Sequence, residues 1–306
     1  MRGAGMHIIN FGSVNIDIIF QVDHIVRPGE TIHSTQISRS TGGKGANQSV
    51  AVAKAGLHDI FHVGKIGSDG SWIKDKLFHY GVNTDYVIES DTPTGQALIQ
   101  VAADGQNSIV LYSGSNYEFT HEEIDDVLSH FDAGDWIMLQ NEINLIDYII
   151  TRAHQNGMNI CLNPAPYDSS VLSLPLNFIS LFVLNEVEAA GIAGVEDPMQ
   201  AMDILTSKFS QADIIITLGE KGVRYGKGKQ LRYSFGTWNV PVLDTTAAGD
   251  TFIGCYLANI AKGKSVQDAL YLASAASSLT VMRQGAMDTI PSPDEFHILK
   301  QYTLKD

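Results

Sequence analysis

Residues 242–252 read VLDTTAAGDTF, and the rest of the chain is organised around this stretch. An apolar run ends at Leu243 and reads as the end of a strand, while residues 252–261 repeat apolar side chains at helical spacing. A helix is therefore predicted to begin at Ala248 and Gly249. The first N–H groups of a helix lack internal partners and lie at the positive end of its dipole. Because these two residues carry almost no side chain, an anion could bind directly to the backbone there.

Asp250 lies in the first turn of this predicted helix, and two roles fit it. As a lone acid it would complement the helix dipole, which acids in first turns often do. Beside a phosphate site, the same carboxylate would act as a base that takes a proton from an attacking hydroxyl. This stretch alone leaves both roles open.

The composition limits the classes of function. Of 306 residues, 44% are hydrophobic, which is enough for a globular fold with a sizeable core. The formal net charge of −14 argues against nucleic acid or an anionic membrane as a partner, so any phosphate site must be local. Two cysteines, Cys161 and Cys255, are too few for a disulfide framework or a thiolate zinc site. Residues 1–6 have no signal-peptide pattern and no apolar stretch approaches a membrane span, so a cytoplasmic location is expected.

Alternating strand-like and helix-like segments predict the fold class. Apolar runs such as residues 136–140 and 178–184 precede segments with helical spacing. This order is typical of an α/β fold, with a mostly parallel central sheet and helices on both faces. The β-rich segments at about 16–40 and 95–113 break the alternation, and we expect them to form a small separate sheet, a lid over one edge. No linker marks a boundary, so residues 1–306 are expected to form a single domain.

Polar and glycine-rich clusters follow the predicted strands. They are Asn15 with Asp17, residues 42–47 (GGKGAN), Glu142, Asn163, Asn185 with Glu188, residues 217–222 (TLGEKG) and residues 248–250. Each has an ordinary explanation as a helix cap, a first-turn acid or a plain turn. Alternatively, Lys44 and Asn47 could donate to hydroxyls, and Glu188 could hold a hydrated Mg²⁺. Because the carboxyl ends of strands share one edge of a doubly wound sheet, caps alone explain this convergence poorly.

The motifs are similar, in order and spacing, to those of a known family. Over nearly the whole length they read GSxNxD from Gly12, GGKGANQ from Gly42, NPAP from Asn163, NxxE from Asn185, TLGxxG from Thr217 and DTxAAGD from Asp244. The chain resembles the ribokinase (PfkB-type) family of carbohydrate kinases, for which the last motif is highly specific. Within that family, the GGKGANQ form with NPAP and Glu142 is typical of ribokinases.

This resemblance implies a three-layer αβα ribokinase-like fold whose β-sheet lid often forms a dimer contact, so a homodimer is expected. It implies transfer of the γ-phosphoryl group of ATP to O5 of D-ribose. Asp250 resembles the catalytic base, and the anion hole beside it would be formed by Ala247, Ala248 and Gly249 together with the Asp250 N–H.

The resemblance also implies three sets of ligand-binding residues. The sugar would be held by Asn15, Asp17, Gly43, Lys44, Gly45, Asn47 and Glu142, with Asp250. ATP would contact Asn185, Thr217, Gly219, Gly222, Gly249 and Ser274. Glu188 would order Mg²⁺ through water, and an activating K⁺ would be bound by Asp244, Thr246, Gly285 and Thr289. The family commonly has Ser where Thr289 stands and often a basic residue where this chain has Gln284.

Other functions remain compatible with the sequence. The same clusters would suit a kinase for another sugar or a nucleoside, including 2-deoxyribose. A non-catalytic sugar-binding or regulatory protein would use the same fold, although intact Asp250, Lys44 and Glu188 argue against it. A nicotinamide oxidoreductase is disfavoured, because no G-x-G-x-x-G follows the first predicted strand.

Overall fold

The computed structural model describes residues 6–229 and 231–305. Within these ranges the strands are β1 (Ile8–Phe11), β2 (Asn15–Val22), β3 (Gln36–Gly42), β4 (Ile60–Gly67), β5 (Val87–Ser90), β6 (Gly95–Ala102), β7 (Asn107–Tyr112), β8 (Trp136–Gln140), β9 (Asn159–Asn163), β10 (Leu181–Asn185), β11 (Asp213–Thr217), β12 (Val223–Lys227) and β13 (Leu231–Phe235). The α-helices are α1 (Lys44–Lys54), α2 (Ser71–His79), α3 (His121–Leu128), α4 (Ile146–Gln155), α5 (Glu186–Ala193), α6 (Pro198–Lys208), α7 (Ala248–Ala261) and α8 (Val266–Thr280).

The larger sheet has the strand order β13-β12-β11-β10-β9-β8-β1-β4-β5. From β11 to β5 all neighbours are parallel, and β12 runs antiparallel to both β11 and β13. Its central strands are mostly apolar and buried because helices cover both faces, as β8 illustrates with five buried residues in a row. One face packs on α1, α7 and α8, the other on α3 to α6. The prediction of an α/β fold with a mostly parallel central sheet is therefore confirmed.

The smaller sheet has the order β3-β2-β6-β7. Strand β2 pairs parallel with β6 and antiparallel with β3, and β6 forms a hairpin with β7. These strands come from the two segments that were expected to form a separate sheet, and that sheet is confirmed. The sequence of residues 31–39 reads as one β segment, but strand β3 begins only at Gln36. The extent of the lid and the single-domain organisation of residues 1–306 stay predictions.

Three local predictions differ from the structure. The run that ends at Leu243 is no strand: Val242 and Leu243 are 65% and 67% exposed, and the N–H groups of Leu243 and Asp244 both donate to Val281 O after α8. The segment is thus tied to the end of a helix and not to a sheet. Strand β10 starts at Leu181 instead of residue 178, because Leu176–Phe178 form a 3-10 turn. The sequence of residues 293–301 predicts a last α-helix, but Pro293–Gln301 form a 3-10 helix.

Within the described ranges, every helix is too short or too polar to cross a membrane.

Candidate active site

A cavity of about 820 Å³ lies at the carboxyl edge of the larger sheet, beneath the smaller sheet. The parallel strands β1, β8, β9, β10 and β11 all end at this edge, so the polar clusters that follow them converge. The predicted site residues that line the cavity are Asn15, Asp17, Gly43, Lys44, Asn47, Glu142, Asn185, Glu188, Thr217, Asp244, Thr246, Ala247, Gly249, Asp250 and Gly285.

Helix α7 begins at Ala248, as the sequence predicts, and its N-terminus opens into the cavity. Ala247 precedes it in the left-handed conformation, with φ of 59°. The N–H of Ala248 donates to Thr245 O at 3.2 Å, whereas those of Gly249 and Asp250 have no hydrogen-bond partner among the described residues. A Cβ atom on Gly249 would meet no atom within 4 Å, so open space lies in front of it. Two free N–H groups at a helix start can bind an anion.

The Asp250 carboxylate is held from both sides. Its Oδ2 accepts a hydrogen bond of 3.0 Å from Asn47 Nδ2, and its Oδ1 accepts one of 3.0 Å from Gln48 Nε2. The residue is only 8% exposed. Since a carboxylate oxygen can accept more than one hydrogen bond, each oxygen can still take a proton from a hydroxyl in the cavity.

Lys44 is the cation among these acids. Burial disfavours its charge, but the carboxylates of Asp250, Glu142 and Glu188 outweigh that effect and raise the pKa of Lys44. The ammonium group is therefore protonated at neutral pH. Burial raises the pKa of Glu142 and of Glu188, against the opposing effect of Lys44. Burial, and then repulsion from Glu142, raises the pKa of Asp17 to about 7.

The sugar-side residues are oriented by neighbours. Asn116 Nδ2 donates to Asn15 Oδ1 at 2.8 Å, which turns the NH₂ group of Asn15 away from that contact. The Asp17 carboxylate lies against Gly42, where a Cβ atom would come within 2.1 Å of Asp17 Oδ1. Glu142 accepts from the backbone N–H of Lys44 at 3.1 Å and from the Ser13 hydroxyl.

Glu188 makes the hydrogen bonds of a helix cap. Its Oε2 accepts from the Asn185 N–H at 2.8 Å and its Oε1 from Asn185 Nδ2 at 2.8 Å. Asn185 Oδ1 in turn accepts from the Glu188 N–H, which completes a capping box. Asn185 and Glu188 therefore do form a helix cap, which is the ordinary explanation of these two residues. The Glu188 carboxylate also lines the cavity.

The two loops predicted to bind a monovalent cation meet. Asp244 Oδ2 accepts from the Gly285 N–H at 3.0 Å, and Asp244 Oδ1 accepts from Thr246 N and Thr246 Oγ1. These donors outweigh the effect of burial and lower the pKa of Asp244. The carbonyl of Thr289 accepts from Arg283 Nη1 at 3.2 Å, and Thr289 does not line the cavity.

Five more predicted residues lie outside the cavity lining: Gly45, Ala248, Gly219, Gly222 and Ser274. Gly45 packs on Gly12, where a Cβ atom would lie 2.5 Å from the Gly12 Cα. Gly222 has φ of 84° in the turn between β11 and β12, a conformation that favours glycine. Ser274 is buried in α8. Their roles in binding stay predictions.

The sequence prediction missed Ser13, Gln48, Asn116 and Gln140 as site residues. Gln48 carries a signal, because it is a buried polar residue directly after Asn47, and Gln140 carries a weaker one as a buried polar residue two positions before Glu142. Asn116 has none: it lies in a turn after β7 and reaches Asn15 only through the tertiary fold.

Comparisons with known proteins agree with this geometry. A family model described as pfkB family carbohydrate kinase matches residues 7–293. The ribokinase of Staphylococcus aureus is 34% identical over 301 residues, covering 94% of this chain and 97% of that protein. The deoxyribokinase of Salmonella typhi is 31% identical over 307 residues, covering 95% of this chain and 98% of that protein.

Similarity extends to a solved structure. The ribokinase of Arabidopsis thaliana, complexed with ribose and ATP, superposes with a TM-score of 0.84 at 26% identity. The match covers 98% of this chain and all of that one, 100%. The predicted three-layer ribokinase-like fold is therefore confirmed. With the family model matched along residues 7–293, the chain belongs to the pfkB family of carbohydrate kinases.

Proposed function

We propose that this protein is a kinase that transfers the γ-phosphoryl group of ATP to O5 of D-ribose. One observation carries the proposal: the carboxylate of Asp250 and the free N–H groups of Gly249 and Asp250 open into one cavity with Asn15, Asp17 and Asn47. A proton acceptor, an anion site and hydroxyl-binding groups are the parts that phosphoryl transfer to a sugar requires. The relatives named ribokinase, one of them complexed with ribose and ATP, support the same substrates.

In this mechanism the sugar is held by side chains of both sheets. Asn15, Asp17, Asn47 and Glu142 offer amide and carboxylate groups to its hydroxyls, with the backbone of Gly43 and Lys44 alongside. Asp250 takes the proton from the O5 hydroxyl as the bond from O5 to the γ-phosphorus forms. The bond from that phosphorus to the bridging oxygen breaks, and ADP leaves. The N–H groups at the start of α7, with Ala247 and Ala248 shaping the turn, bind the transferring phosphoryl oxygens.

The nucleotide side of the cavity would involve Asn185, Thr217, Gly219, Gly222, Gly249 and Ser274. The first two line the cavity at the ends of β10 and β11. Gly219 and Gly222 lie in the turn after β11, where a backbone without side chains lets a nucleotide approach closely. Lys44, kept positive by its carboxylate neighbours, offsets phosphate charge.

Mg²⁺ fits this site only as a partly hydrated ion. The described residues contain no group of three or more His, Cys, Asp or Glu that could hold a metal. Glu188 is a carboxylate in the cavity, yet both its oxygens already accept hydrogen bonds, so contact through water is the arrangement that fits. Mg²⁺ would supply positive charge to the β- and γ-phosphate oxygens.

For K⁺, the hydrogen bonds of Asp244 with Gly285 and Thr246 bring the two candidate loops together, which supports one shared ion. The carbonyl of Thr289 fits less well, because it already accepts from Arg283. K⁺ would place a positive charge near the turn that precedes α7.

The smaller sheet would act as a lid and as a dimer contact. Its residues Ile19, Ile99, Val101 and Ile109 line the cavity, and the apolar side chains of Ile109 and Val110 on β7 are also exposed. We propose one domain over residues 1–306, a homodimer through this sheet, and a cytoplasmic location.

An ADP-release assay over a panel of pentoses, hexoses and nucleosides, with and without K⁺, tests the proposal. We expect D-ribose to give the highest kcat/KM and NMR of the product to place the phosphate on O5. Because a deoxyribokinase is almost as similar as the ribokinase, 2-deoxyribose is the second candidate. Turnover with no sugar above the ATP-only control would favour a binding protein.

A further inference from the structure

A chain of buried amide side chains lies behind Asp250, away from the cavity. Gln48 Nε2 donates to Asp250 Oδ1 at 3.0 Å and to Asn163 Oδ1 at 3.2 Å. On its other side, Gln48 Oε1 accepts from Gln140 Nε2 at 2.7 Å. Gln48 and Gln140 are both at most 1% exposed, and neither lines the cavity.

The orientation of each amide group, that is, which side carries its NH₂, follows from the hydrogen bond that Asn10 makes at the far end of this chain of amides. The carbonyl of Gly45 can only accept, so Asn10 must direct its NH₂ group there, at 2.7 Å. Asn10 Oδ1 is thereby left to accept from Gln140 Nε2, at 3.0 Å. Gln140 must then also direct its NH₂ group to Gln48, and Gln48 has only its own NH₂ group left for Asp250.

The hydrogen bond at the Asp250 end of the chain requires the same orientation of the amide groups. The Asp250 carboxylate can only accept, so the group facing it must be the NH₂ of Gln48. A flipped Gln48 would set its oxygen against two acceptors, Asp250 Oδ1 and Asn163 Oδ1, and would lose the bond from Gln140. Buried polar groups left unpaired are strongly disfavoured, so the chain has one stable direction.

The same direction continues toward the nucleotide side. Asn163 Nδ2 donates to Glu188 Oε2 at 3.2 Å and to Val183 O at 3.0 Å. The chain therefore ends on two carboxylates, Asp250 and Glu188, and fixes them relative to each other.

We propose that Gln48 and Gln140 are positioning residues that hold the Asp250 carboxylate in the orientation for proton transfer, with Gln140 acting only through Gln48. Neither residue touches the substrate. The proposal rests on the function proposed above.

A double-mutant cycle tests this with Gln48→Met, Gln140→Met and the double variant, each assayed for kcat and for KM of ribose and ATP. Methionine keeps the approximate shape and removes the donors. We expect kcat to fall roughly 10- to 100-fold in Gln48→Met, because a displaced base loses rate steeply, with KM within about threefold. Gln140→Met should lower kcat about 3- to 10-fold, because Gln48 keeps its bonds to Asp250 and Asn163 but loses the donor to its Oε1, so its amide is held less firmly.

The double variant shows whether Gln140 acts through Gln48 or independently of it. If Gln140 acts through Gln48, the double variant has the kcat of Gln48→Met alone. Losses that multiply, a kcat unchanged in Gln48→Met, or a rise in KM at constant kcat would each overturn the proposal. A wild-type protein inactive on every sugar would instead reject the proposed function, and this inference with it.

A matched control separates positioning from loss of a buried amide. Asn259 is a buried amide on the same helix as Asp250, and its Nδ2 donates to Cys255 O at 2.7 Å, remote from the cavity. Asn259→Leu should lower stability and leave kcat unchanged. If Gln48→Met does not fold, Gln48→Glu replaces it, since a carboxyl there either repels Asp250 or gives it a proton. A wild-type kcat in Gln48→Glu would overturn the proposal.

Discussion

The role of Asp250 can be decided with one substitution, Asp250→Asn, because the structure accommodates the amide. The amide oxygen of the substituted side chain would still accept from Gln48, as the carboxylate does. Its NH₂ group would face Asn47, whose Oδ1 is buried without a partner among the described residues and could accept after a flip of that amide. The variant should therefore keep its fold and bind ATP and ribose almost normally.

What the variant loses is the proton acceptor. Asp250 is 8% exposed, so a base from solvent replaces it poorly. A positioned base contributes roughly 10²–10⁴ in rate, which is about 3–5 kcal/mol of barrier. We expect kcat in a coupled ADP-release assay to fall by that factor, while calorimetry gives near-unchanged dissociation constants for ATP and ribose.

Asp268→Asn is the matched control. Asp268 also stands in the first turn of a helix, α8, but it is exposed and caps that helix with Ser265. If Asp250 only complements a helix dipole, both variants lose about 0.3–1 kcal/mol of stability and keep their turnover. Turnover of Asp250→Asn within about threefold of wild type would therefore refute the assignment of the base.

Single contacts lead to three further predictions. Gly42→Ala would place a Cβ atom 2.1 Å from Asp17 Oδ1, so the carboxylate must move, and we expect the KM for ribose to rise about tenfold or more, with the KM for ATP as internal control. An unchanged ribose KM would show that Asp17 does not bind the sugar. Ala247→Gly should stabilise the protein by up to about 1 kcal/mol in urea unfolding, because alanine is strained at φ of 59° and glycine is not; a loss of stability would contradict this. Burial raises the pKa of Asp17 from 3.8 to about 7, so between these values the folded state binds more protons and stability falls as pH rises. Relative to wild type, Asp17→Asn should therefore be more stable at about pH 8 than at about pH 5 in urea unfolding, and an equal difference at both would refute the shift.

The sequence predicted the edge of the sheet well because its signals there are local. An apolar strand followed by small or polar residues is a pattern of a few adjacent positions: Glu142 comes soon after β8 and Asn185 ends β10, while Asp250 lies in the first turn of a helix that begins with small residues. The parallel order of the strands then brings these ends together. Convergence of the cavity residues thus follows from local pattern plus one topological rule.

What the sequence could not predict depends on contacts between distant segments. Asn116 and Asn15 are 101 residues apart, and their hydrogen bond exists only once the smaller sheet has packed. The exposure of Leu243 could not be predicted for the same reason. An apolar run reads as a strand unless the hydrogen-bond partners of its backbone are known, and here the Leu243 N–H donates to Val281 O. The positive φ of Ala247 gave no signal, because alanine rarely adopts it.

The charge of the cavity supports the proposed phosphate site at the start of α7. Asp17, Glu142, Glu188 and Asp250 line the cavity, while Lys44 is its cation, and the whole chain carries a formal net charge of −14. No long-range field therefore draws a nucleotide in, and the carboxylates of the lining repel its phosphates. The helix N–H groups and Lys44 are the places where an anion gains energy, and they adjoin the base. An acidic lining suits a neutral, hydroxyl-rich acceptor, so in the proposed mechanism the transferring phosphoryl group would lie only where the attacking hydroxyl meets Asp250.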